Sequence, residues 1–109
     1  MDARFPAAYQ EVCLKWPLFG YDAGISSFDW WREVAAKLVQ GTDLVPQTQA
    51  FEDGFASIYA LFQTDEAYRA FPDVLPLLQR ARSATGLSIC VVSNATESYE
   101  RAVLPALGL

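Results

Sequence analysis

Ser93 and Asn94 are the residues of this chain best placed to do chemistry. They close the run Leu87-Ser88-Ile89-Cys90-Val91-Val92, and a helical pattern follows at once. A hydroxyl and the amides after it, between a strand end and a helix start, form a cradle for an anion such as phosphate. A polar turn that merely ends a strand is the plainer alternative. The second candidate is Tyr21-Asp22, set between Gly20 and Gly24. A loop there can present a ring and a carboxylate to a substrate, although an ordinary surface turn has the same composition. Glu52-Asp53 and Asp65-Glu66 invite a metal-binding reading. Adjacent helical side chains diverge, however, so solvated helix faces explain them better.

Composition removes several other chemistries. Histidine is absent, which excludes Ser-His-Asp and Cys-His catalysis and every His-ligated metal. Cys13 and Cys90 cannot make a zinc site by themselves, and Cys90 inside an apolar run reads as a buried free thiol. A net charge of −5 without any local Lys/Arg cluster argues against nucleic acid as a partner. No stretch approaches membrane-spanning length, and Met1-Asp2-Ala3-Arg4 lacks the apolar core of a signal peptide. The expectation is an intracellular protein, cytoplasmic or nuclear, neither secreted nor membrane-bound.

The elements that position Ser93 begin with Leu87–Val92. Apolar residues on both faces of so short a run predict a strand buried on both sides, as in a parallel sheet covered by helices. Ligands of such sheets bind beyond the carboxyl ends of the strands, where Ser93 and Asn94 stand. Upstream the pattern is helical. Phe5, Tyr9, Val12, Cys13 and Trp16 form one stripe of a first helix that Pro17 stops. Ser26 or Ser27 caps a second, about Phe28 to Gln40, with Trp31, Val34, Ala35, Leu38 and Val39 on one side and Gly41 at its end. Trp30 and Trp31 point about 100° apart, so at least one belongs to the core.

Pro46 opens a third helix with the stripe Phe51, Phe55, Ile58, Tyr59 and Phe62. Gly54 within it costs about 1 kcal/mol relative to Ala, a cost that close helix approach would explain. A fourth helix enters at Phe71-Pro72-Asp73 with Val74, Leu77, Leu78 and Ala81 inward. A last one starts near Ser98, where Pro105 should kink or shorten it. No second strand is evident. Unpaired buried backbone groups cost on the order of 1–3 kcal/mol each, so the run reads as cut from a larger sheet or completed by a partner.

Val91-Val92-Ser93-Asn94, the helix bearing Arg101, and Val103-Leu104-Pro105-Ala106-Leu107-Gly108-Leu109 together resemble the second motif of the haloacid dehalogenase (HAD) superfamily of hydrolases. Trp30-Trp31-Arg32-Glu33-Val34 is similar to the helical cap of its domain-containing-protein-3 type. Phe71-Pro72-Asp73, Leu77-Leu78 and Thr85-Gly86-Leu87 fit the helix and turn before the motif-two strand. The resemblance implies an α/β fold with a Rossmann-type core, here a fragment: a helical cap over residues 1–68 and one helix–strand–helix unit of a parallel sheet over 69–109.

In that family an aspartate of an Asp-x-Asp pair is the nucleophile, and a second aspartate acts as acid and base in the phosphatase members. Magnesium is held by acidic residues, and a lysine balances charge. The motif-two hydroxyl binds phosphoryl oxygens. The resemblance carries only that last role over, onto Ser93, with the Asn94 backbone as a supporting donor. No Asp-x-Asp occurs in these 109 residues, and the later lysine and acidic motifs are absent as well. No residue is therefore assigned a catalytic or metal-ligating role. The implied intact relative is a Mg2+-dependent phosphatase of a small phosphorylated substrate, whereas this chain holds no cofactor and is expected to be inactive alone. The competing expectation is a non-catalytic helical interaction module that docks onto another protein, or self-associates, through the unpaired strand.

Overall fold

The computed structural model describes residues 3–84 and 86–109. Its chain divides into two compact units, Met1–Tyr59 and Ala60–Leu109.

The first unit is built from α1 (Arg4–Lys15), α2 (Ser27–Leu38) and most of α3 (Gln49–Leu61). Pro6 lies in the first turn of α1, where a missing N–H leaves no carbonyl without its partner. The α1 stripe packs on α2: Ala8, Val12, Trp30 and Val34 are buried, flanked by Phe5, Tyr9, Cys13, Trp16, Phe19, Ile25, Trp31 and Leu38. At the start of α2, Ser26 Oγ accepts the Asp29 N–H at 3.0 Å and donates to Asp29 Oδ2 at 2.9 Å. Its buried line runs through Ser27, Trp30 and Val34, so Trp30, rather than Trp31, is the core residue of the pair. The Trp30 Nε1–H donates to the Trp16 carbonyl at 3.0 Å, which pins the end of α1 to α2.

On α3, Phe51 and Phe55 are buried, and Phe28 meets Phe55 and Tyr59 edge-on at 5.0 Å each. Ile58 and Phe62, read as part of the same stripe, are exposed. A Cβ built at Gly54 would meet nothing within 4 Å, so this glycine does not serve a close helix approach.

The second unit departs from the expected architecture. No strand exists among the described residues, and the parallel-sheet helix–strand–helix unit of an α/β core is not formed. Leu87–Val92 runs without regular structure, and each of its residues is exposed. No backbone–backbone hydrogen bond engages it among the described residues. The reason is the one that makes a lone strand improbable: its N–H and C=O groups need a neighbour, and without one water satisfies them best. Cys90, expected to be buried, is exposed for the same reason.

The helix before the run, α4 (Val74–Ser83), has no buried residue. Leu77, read as inward, is 66% exposed, because the sheet it would cover is missing. The last helical stretch is a π-helical turn, Tyr99–Val103, leading into a single α-turn, α5 (Leu104–Ala106). Pro105 has no N–H to return to the Arg101 carbonyl, and just before it the Leu104 N–H reaches five residues back to Tyr99. Proline here re-registers the ladder and shortens the helix.

Candidate functional site

Ser93 and Asn94 follow the exposed run and are themselves exposed. The Ser93 Oγ accepts the Ala95 N–H at 3.2 Å, a local turn of the kind serine makes at chain reversals. Thr96 Oγ1 and Ser98 Oγ lie 2.8 Å apart just beyond it. A serine-led turn thus lies between the apolar run and the last helical stretch. The sequence did not foresee that the turn would stand open rather than at the mouth of a sheet. The helical stretch that follows runs through Tyr99–Val103 into Leu104–Ala106.

Tyr21 and Asp22 belong to the other unit, in a 3-10 stretch over Leu18–Ala23. Leu18, Phe19 and Gly20 hold positive φ in succession, at 53°, 54° and 74°. For the two non-glycine residues this is a sparsely populated conformation that costs roughly 1–3 kcal/mol each. Phe19 offsets it by inserting its ring 4.9 Å from Trp30 and 6.3 Å from Trp31. Gly20 is buried, and a Cβ there would meet Ile25 Cβ at 2.7 Å. The Ile25 N–H closes the loop on the Gly20 carbonyl at 3.0 Å. This anchoring turns Tyr21 outward, 78% exposed, with Asp22 beside it. The loop is shaped to display side chains.

Three polar arrangements carried no sequence signal. Glu33 receives Lys15 Nζ at 2.6 Å and Trp16 Nε1 at 2.9 Å. Burial pushes its carboxyl up, but those two hydrogen bonds and the charges of Lys15 and Lys37 outweigh burial and hold it below the usual range. Arg32 grips both carboxylate oxygens of Glu52 and lies over the Phe51 ring at 5.4 Å. The hydrogen bond from Arg32 is the main force holding the Glu52 carboxyl low. Asp53 accepts from Gln49 Nε2 at 2.8 Å, so the Glu52-Asp53 pair separates into two helix-surface contacts. In the second unit, Tyr68 and Tyr99 stack edge-on with their hydroxyls 3.1 Å apart. Burial, then the Tyr99 hydrogen bond, push the Tyr68 phenol up to about 12.

Among the described residues no three His, Cys, Asp or Glu side chains converge on one point. A shallow, open depression of about 500 Å³ on α4 is lined by Pro76, Gln79, Arg80, Ser83 and Ala84. It includes none of the residues singled out from the sequence.

Comparison with protein-family models, with curated proteins and with solved structures gives no match. Among the described residues, no helix is long and apolar enough to cross a membrane. The two exposed turns, Ser93-Asn94 and Tyr21-Asp22, are the candidate sites.

Proposed function

We propose that this chain is a portion of a haloacid-dehalogenase-like hydrolase that carries its cap and its phosphoryl-binding serine and is catalytically silent by itself. The observation behind this reading is the Ser93 turn: an exposed hydroxyl and Asn94 at the end of an apolar run, leading into a helical stretch. One anion contact supplies little of the ~8–23 kcal/mol by which enzymes lower a barrier. The nucleophilic aspartate, the acidic residues for Mg2+ and the balancing lysine would come from residues outside this sequence. The substrate class is a small phosphorylated compound, and the setting intracellular, cytoplasmic or nuclear.

Extending the chain in the reading frame of its gene tests the reading. The expected result is an upstream Asp-x-Asp segment and an extended protein that hydrolyses p-nitrophenyl phosphate with Mg2+. Ser93→Ala should then lower kcat/KM on the order of 10²-fold, as loss of an anion-stabilising donor does. An extended protein without the acidic motif, or without phosphatase activity, would sink it. So would enzyme-like turnover by the 109 residues alone.

The exposure of Leu87, Ile89, Val91 and Val92 favours a second reading. In it the chain is a non-catalytic helical module that docks by offering Leu87–Val92 as a strand edge. That reading requires amides of 87–92 that exchange freely with solvent in the monomer.

A further inference from the structure

We infer that the occupant of the Leu87–Val92 edge is the same segment of a second copy, paired antiparallel. The inference rests on the docking reading and names its partner.

Three observations carry it. First, the segment is open: Leu87, Ile89, Val91 and Val92 are 61%, 45%, 69% and 93% exposed, and its backbone makes no backbone hydrogen bond among the described residues. Second, it is compatible with itself. None of its six residues is charged, Pro or Gly, the composition that lets identical segments pair without repulsion. Third, its flanks complement each other in one orientation only. Arg80 and Arg82 precede the run; Glu97 and Glu100 follow it, ahead of Arg101. All five are exposed and form no ion pair among the described residues.

Parallel pairing would set arginines beside arginines. Antiparallel pairing with Leu87 opposite Val92 brings the basic flank of each copy toward the acidic flank of the other, twice over, because the contact is two-fold symmetric. Opposite charges arranged this way select orientation more than they add affinity. A two-stranded contact is marginal alone, so the association is concentration-dependent.

The test is sedimentation of the 109-residue chain over a range of concentrations in reducing buffer. The expected result is a mass that rises toward that of the dimer and falls back with added salt. Val91→Lys, at a position already solvated, should weaken association on the order of tenfold, since lysine in an edge strand blocks pairing. Glu97→Lys should weaken it about 3- to 10-fold by turning two attractions into repulsions. Adding Arg82→Glu to Glu97→Lys should restore it.

A chain that stays monomeric, association indifferent to Val91→Lys, or a double variant as weak as the single one would each overturn the inference. For a monomer, hydrogen exchange separates the two ideas. Freely exchanging 87–92 amides leave the docking reading standing with a different partner, whereas protected amides remove both.

Discussion

Trp30 and Val92 are both apolar, and the two units treat them in opposite ways. Trp30 has no exposed surface and gives its indole N–H to Trp16, while Val92 is 93% exposed. The contrast extends to their surroundings. Up to Tyr59, rings lie against rings, as in Tyr9 against Trp30 at 5.5 Å and Phe28 against Phe55 at 5.0 Å. From Ala60 onward, Tyr68 meets Tyr99 edge-on and Val103 is buried, yet α4 buries nothing and Leu87–Val92 stands in solvent. Composition does not separate the units, since apolar residues are plentiful in both. What separates them is the kind of partner each needs. A helix satisfies its own backbone and asks only that its stripe be covered, which α1, α2 and α3 do with side chains within their own unit. A strand needs another strand before its side chains can be buried at all.

The largest effect should come from breaking the better-packed unit. Trp30→Ala removes a fully buried ring and should cost about 3–5 kcal/mol. Val92→Ala should stay within about 0.5 kcal/mol, as changes at solvated positions do. Urea unfolding followed by circular dichroism measures both, and comparable losses would erase the contrast. Gly20→Ala comes next, because its φ of +74° and the 2.7 Å approach of Ile25 Cβ leave no room for a methyl group. A loss of about 1–3 kcal/mol is expected from the strain.

Gly54→Ala runs the other way. Nothing lies within 4 Å of the added methyl, so the helix-propensity gain of about 0.5–1 kcal/mol should appear as a higher Tm. The least effect at neutral pH belongs to Tyr68→Phe in the open unit. The Tyr68 phenol titrates at about 12 in the folded chain against about 10 unfolded. The stability this shift contributes is complete below pH ~10 and drains away as pH rises through ~12. Tyr68→Phe should flatten that alkaline decline, which Tm against pH reads directly. An unchanged slope would mean the Tyr68–Tyr99 contact is not held in solution.

The helical half was legible because its signal is local. Phe5, Tyr9, Val12, Cys13 and Trp16 recur at helical spacing, and Ser26 with Asp29 three residues on marks a helix start. Leu18 and Phe19 at positive φ were not legible. Residues with a Cβ adopt that conformation only where packing compels it, here the Phe19 ring against Trp30 and Trp31. The links from Lys15 and Trp16 to Glu33 span 18 and 17 positions, and no short-range pattern announces them. Of the candidate sites, the turn at Ser93 and the display of Tyr21 could be read along the chain. Whether a ligand has anything else to hold there depends on residues distant in sequence.

The order of amino acids by itself determined where helices form and where they stop. Those choices depend on spacing, capping and proline, all of which act within a few residues. Only tertiary structure decided that Trp30 rather than Trp31 fills the core, that Gly54 has open space around it, and that Leu87–Val92 stays exposed. Burial requires a second surface, and whether one is present is a property of the fold and not of the segment that needs it.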